Sequence, residues 1–254
     1  MEIATQLAPT PIADDSGIRL TVSHVEFVGL DGRGIADWRA RRAPLGMSTY
    51  QYRLFCRSLF LAVRADRLQD QDLDARLKGS AAAFYSGRHK SLPMTWSEFV
   101  KSLQQALRRT PTPSELDELR ERVQRFQSFQ GQPRRCPFDS MFTLQMHTDP
   151  SDYDIQLSSK EIESRCIALH KVMPTIAPSL RHPKYGFLDD GLVSIAVPMI
   201  LRWAAHWTRK LKRTVAVKAF GADGPENKTA TDGELSSHFR SDDWYLKPPL
   251  PGVD

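Results

Sequence analysis

Cysteine is scarce in this 254-residue chain: Cys56, Cys136 and Cys166 stand far apart, form no CxxC pair and sit at no zinc-ligand spacing from histidine. That excludes a disulfide framework and a zinc-finger type of fold, and it places the chain by default in a reducing, cytoplasmic compartment. Long apolar runs are missing too. The longest, Leu192 to Leu201, is about half of the ~20 residues a membrane span needs and contains Pro198, so it reads as part of a core helix and no membrane partner is expected. Residues 1–17 have no positive start followed by an apolar stretch, but carry Glu2, Asp14 and Asp15; they read as a flexible arm rather than a secretory leader. There is no internal repeat and no low-complexity tract.

What is present is an ordinary globular composition. Hydrophobic residues make up 41% and charged residues 26%, enough to build a packed core and too apolar for a disordered chain. Thirty-five Lys and Arg against thirty Asp and Glu leave a net charge of +5, a mild bias compatible with a phosphate-bearing partner.

Periodicity sorts the chain into alternating element types. Ile18 to Leu30 is rich in β-branched residues and stops at Asp31-Gly32, which predicts an early strand. Apolar residues from Tyr52 to Val63 recur at helical spacing behind a Ser48 or Thr49 cap. Leu73, Ala75 and Leu77 alternate with charged residues and stop at Gly79-Ser80, a half-buried strand ending in a turn. Thr95 to Arg108 and Pro113 to Phe129 read as two helices inside an insertion spanning about 91–137. Asp152 to Leu157 alternates again; a helix to about Val172, a long helix from Leu192 to Lys212 and a last strand, Thr214 to Phe220, follow. The reading is an α/β (α+β) fold, one domain over 18–254, with a mixed β-sheet flanked by helices and interrupted by a helical insertion.

Two features carry chemistry. Residues i and i+2 of a strand share a face, so Asp152 and Asp154 set two carboxylates side by side while Tyr153 and Ile155 bury apolar surface on the other face. Such a pair attracts a hard divalent cation, Mg²⁺ or Mn²⁺, which takes its other ligands from water and substrate phosphates. The Gly79-Ser80 turn is the complementary half. A glycine lets backbone approach a phosphate, Ser80 adds a hydroxyl, and Lys78, Arg88, His89 and Lys90 lie near it in sequence to offset phosphate charge. Arg134-Arg135 is a further basic candidate, and Tyr85 a candidate base-stacking ring.

A strand ending in Gly-Ser, followed by a strand bearing Asp-x-Asp after serine, resembles the signature of the polymerase-β-like nucleotidyltransferases at Gly79, Ser80, Asp152 and Asp154. The resemblance covers roughly Asp72 to Phe220. It implies a palm-like core, metal held by Asp152 and Asp154, and transfer of a nucleoside monophosphate from an NTP to an acceptor hydroxyl on RNA, DNA, another nucleotide, a protein side chain or a small molecule. A bacterial defence or toxin role is typical of compact members.

Two departures stand beside it. Seventy-two positions separate Ser80 from Asp152, where family members have a dozen or so, which is why the helical insertion is needed. Asp139-Ser140 lies twelve residues before Asp152 but lacks the glycine, and ranks second as the phosphate turn. The family's third carboxylate has no counterpart in the strand TVAVKAF; Asp223 is the nearest substitute, with Glu226 behind it. The alternative is therefore a non-catalytic nucleotide- or RNA-binding protein on a degenerate scaffold of the same kind.

Structural expectations for the remaining motifs are plainer. Trp203 and Trp207, four apart on a helix, predict a core stripe. Arg209, Lys210, Lys212 and Arg213 complement the end of that helix's dipole. The stretch SSHFRSDDW reads as a capped turn near the C-terminus, with a segment folded back on the active site as the alternative.

Overall fold

The computed structural model describes residues 31–86, 92–93, 95–127, 136–222, 224 and 243–248. The arm over 1–17 and the early strand expected from Ile18 to Leu30 lie outside them.

Helix α1, Gly32–Arg39, starts on an Asp31 cap whose carboxylate accepts from Gly34 N. Helix α2, Thr49–Ala65, begins with a full capping box between Ser48 and Gln51 and buries Phe55, Leu59, Phe60 and Val63. Strand β1, Asp74–Lys78, follows, and Gly79 passes the chain into a four-residue helix α3, Ser80–Ala83. Helices α4, Trp96–Leu107, and α5, Pro113–Gln127, make up the insertion. They share a hydrophobic cluster of their own, formed by Leu92, Phe99, Leu103, Leu119 and Val123 with Cys136, Leu144 and Met146. A second four-residue helix, α6, Ser140–Thr143, precedes strand β2, Tyr153–Ser158.

Helix α7, Lys160–Val172, is capped by Ser159. The long helix expected over Leu192–Lys212 is instead two: α8, Asp190–Ala196, and α9, Pro198–Leu211. Pro198 has no N–H to continue the ladder and is accepted only in a first turn, so the helix ends and restarts there. The buried Asp66 secures the restart, its two carboxylate oxygens accepting from Met199 N at 3.0 Å and Ile200 N at 2.9 Å. Strand β3, Val215–Phe220, and a short strand β4, Trp244–Tyr245, complete the described elements.

The chain is thus an α/β protein built on a mixed four-stranded sheet in the order β3-β2-β1-β4. β1 runs antiparallel to both β2 and β4, and β2 parallel to β3. The parallel pair requires a crossover, which α7, α8 and α9 supply. The main core is gathered around the inward sheet residues Ala75, Leu77, Tyr153, Ile155 and Leu157 and the aromatic residues of α2 and α9. Trp203 and Trp207 are the core stripe expected; both indole N–H groups donate to Ser58 Oγ, at 3.0 and 2.8 Å. Among the described residues no helix is long and apolar enough to cross a membrane.

Candidate functional site

Strand periodicity builds the site. In β1, Ala75 and Leu77 are buried, so Asp74, Arg76 and Lys78 take the opposite face. In β2, Tyr153, Ile155 and Leu157 go to the core, which leaves the half-buried Asp154 on the other face. The antiparallel register sets Lys78 directly opposite Asp154 and Arg76 opposite Gln156. The end of β1 and the beginning of β2 therefore meet, although more than seventy residues lie between them in the chain.

Gly79 turns the chain at this meeting point with φ +77°. Glycine is required by the backbone, φ +77° with ψ −165°, and a Cβ there would stand 2.8 Å from Asp154 Oδ2 and displace that carboxylate. Ser80 opens α3 and is largely buried. Asp152 sits just ahead of β2, half-buried and two residues from Asp154 along extended chain.

Asp139-Ser140, the second-ranked phosphate turn, has a different job. Both Asp139 oxygens accept from the guanidinium of Arg213, at 2.7 Å each, and Oδ1 also accepts from Ser151 N at 2.7 Å. Asp139 N donates to Ser151 Oγ at 3.0 Å, and Arg213 donates to Ser151 O. The guanidinium lies over the rings of Phe138, 4.7 Å from its centroid, and Tyr153, 5.4 Å. Asp139 is committed to a cation and is no phosphate loop. Arg213 is likewise no helix-end charge: Lys212 closes α9 in the left-handed conformation, and Arg213 leaves the helix to bind the loop ahead of β2.

Burial pulls the Arg213 guanidinium down, but hydrogen bonding with Asp139, the charge of Asp139 and, further off, that of Asp152 hold it above its ordinary value. Burial pushes the Tyr153 phenol up in spite of Arg213, and its hydroxyl donates to Leu45 O at 2.8 Å. Both groups keep one charge state across the physiological range.

Lys78 is placed at the turn, where its ammonium meets Asp243 Oδ2 at 3.1 Å. Asp243 comes from the segment read as a capped turn, which instead leads into β4 at the edge of β1. Its side chain is only 3% exposed and also lies 3.9 Å from Arg76, which is itself bidentate to Asp74. This carboxylate was missed in the sequence. The signal for it is the alternation of buried Trp244 and Leu246 about exposed Tyr245, a period of two over very few residues.

Tyr85 is not a stacking platform. It is 5% exposed, pairs with Pro137 in an isolated bridge and packs on Phe84 at 4.9 Å. Asp223, Glu226, Arg88, His89, Lys90, Arg134 and Arg135 lie outside the described residues. On β3, Ala216 stands beside Asp154 and Lys218 beside Gln156, so the neighbouring strand adds no carboxylate. Among the described residues no three acidic, histidine or cysteine side chains converge.

Asp152 and Asp154, two residues apart at the entry of β2 beside the Gly79 turn, are the carboxylates here that could hold a hard cation with water as its further ligands. They do not make a closed cage. A cleft of about 480 Å³ opens elsewhere, at the far end of β2, lined among others by Asp72, Asp74, Ser159 and Lys160. It does not include Asp152, Asp154 or Gly79.

Comparison with family models, with curated proteins and with solved structures finds no match to this chain.

Proposed function

We propose that this chain is a divalent-metal-dependent nucleotidyltransferase with a palm-like core, moving a nucleoside monophosphate from an NTP to an acceptor hydroxyl on a nucleic acid or nucleotide in the cytoplasm. The observation that carries the reading is the contact between two distant motifs: Gly79 is packed on Asp154 so closely that an added Cβ would stand 2.8 Å from its Oδ2 and the carboxylate would have to move. In this reading Asp152 and Asp154 hold Mg²⁺ or Mn²⁺. The ion, when bound, supplies charge neutralisation for the phosphates and a more acidic attacking hydroxyl.

The protein's own groups position the substrate. The Gly79-Ser80 backbone comes close to the phosphates because no side chain intervenes at Gly79, and the Ser80 hydroxyl orients them. Lys78 stands at the same turn with its ammonium positioned by Asp243, offering N–H donors to the phosphates rather than unbalanced charge. Arg88, His89 and Lys90 follow the turn in sequence and add to the phosphate-binding charge; Asp223 is the remaining candidate for a third catalytic acid.

The test is incubation with each α-labelled NTP and Mg²⁺ or Mn²⁺ in the presence of RNA, DNA and nucleotide acceptors. Label transferred to an acceptor by the wild type, and lost in the Asp152→Asn, Asp154→Asn double variant of unchanged melting temperature, supports the reading. Transfer undiminished in that variant removes the two residues from the site.

The place beside Asp154 taken by Ala216 favours a second reading, a non-catalytic NTP- or RNA-binding protein on the same scaffold. It predicts stabilisation by NTP and metal, about 2.7 kcal/mol at a ligand concentration of 100 Kd, with no label in any product.

A further inference from the structure

Asp152 precedes the first paired residue of β2, so the sheet ladder does not hold it directly. Its neighbours do. The N–H, carbonyl and hydroxyl of Ser151 are all engaged, by Asp139 Oδ1, Arg213 and Asp139 N respectively. On the other side, Tyr153 N donates to Thr214 O at 2.8 Å and its hydroxyl to Leu45 O. Asp152 is therefore bracketed by two residues without rotational freedom.

The charges around it balance in a particular way. Arg213 and Asp139 are 11% and 13% exposed, and their paired forks leave little net charge at this point. An arginine standing there alone would repel a cation approaching Asp152.

We propose that Asp139 and Arg213 form a charge-neutral clasp that positions Asp152 and keeps its carboxylate electrostatically open to a divalent cation. Arg213 fastens the loop ahead of β2 to the start of β3, and Asp139 cancels the charge that this fastening introduces. Both are positioning residues. The inference rests on the metal-binding reading of Asp152 and Asp154, and the two are separated by the following experiment.

Mn²⁺ affinity is measured by titration on the full chain, without NTP, beside melting temperature. Wild-type binding that disappears in Asp152→Asn, Asp154→Asn is expected; its absence overturns the metal-site reading and the clasp together. Given that binding, Asp139→Asn, which leaves the Arg213 charge uncompensated, weakens Mn²⁺ affinity roughly tenfold. Adding Arg213→Met to it removes both charges and returns affinity to within about threefold of wild type. Arg213→Lys keeps the pair neutral but loses the bidentate fork, so its melting temperature falls while Mn²⁺ affinity stays within about threefold. This last variant keeps the test decisive if Asp139→Asn does not fold. Affinity unchanged in a folded Asp139→Asn, not restored by the double variant, or lost tenfold in Arg213→Lys overturns the clasp and leaves the metal site standing.

Discussion

Gly79-Ser80 and Asp139-Ser140 invite comparison as turns, although their backbones differ: Gly79 has φ +77° and ψ −165°, a region glycine alone adopts freely, and Asp139 has φ +58° and ψ +7°, ordinary left-handed backbone. Each has a residue at positive φ followed by a serine that opens a four-residue helix, and each abuts the beginning of β2. They differ in what occupies the turning position. Gly79 works by what it lacks, admitting the Asp154 carboxylate to within 2.8 Å of where a Cβ would be. Asp139 works by what it carries, a carboxylate that holds Arg213 and Ser151. The lesson is that a shared sequence pattern, a turning residue before a helix-opening serine, does not define a shared role. The partner of the turning residue does: an acid of the candidate site in one case, a structural cation in the other.

The comparison can be broken in several ways. The largest expected effect is from Arg213→Met, which leaves Asp139 buried and unpaired and costs about 3–5 kcal/mol, read as a lowered urea midpoint. Next is Asp139→Gly. If turn shape were all that mattered, glycine would be neutral or stabilising at φ +58°. The clasp instead predicts a loss of about 2 kcal/mol, since the guanidinium then loses its buried partner. Gly79→Ala is expected to cost about 1–3 kcal/mol from the glycine-only backbone region alone and to displace Asp154, so Mn²⁺ binding falls along with stability. Retained Mn²⁺ affinity in that variant would detach the turn from the acidic pair.

The serines give the smallest and most discriminating difference. Ser140 Oγ is buried and has no hydrogen-bond partner among the described residues, so Ser140→Ala raises stability by up to about 1 kcal/mol with no effect on NTP binding. Ser80→Ala, at a buried position, changes stability by about 1 kcal/mol and lowers NTP affinity. Calorimetric titration of both variants with NTP and Mg²⁺ compares them; equal NTP affinities would remove Ser80 from the phosphate-binding role.

Much of the fold is written in short-range pattern. Alternation about Ala75 and Leu77 and about Tyr153 and Ile155 predicts β1 and β2 within a residue or two, and of the two caps offered by Ser48 and Thr49 for α2 it is Ser48 that serves. Where pattern and a single breaker disagree, the breaker prevails, as Pro198 does by splitting one apolar run into α8 and α9. β4 is only two residues long, too short to raise a period of two above its polar surroundings. Arg213 shows another limit. A basic residue after a helix invites a dipole explanation, and only the loop brought back from residue 139 reveals the partner with the stronger claim.

The sequence by itself determined which residues face the core, because hydrophobic period is a property of each segment alone. It also determined that Asp152 and Asp154 alternate about the core residue Tyr153 and that the strand TVAVKAF carries no acid. Only the tertiary structure decided that Gly79 touches Asp154, that Asp243 meets Lys78, and that Asp139 and Arg213 clasp the strand entry. Those contacts join positions separated by tens to more than a hundred residues. Their registers follow from how strands pair and helices pack across the whole chain, which no local window of sequence contains.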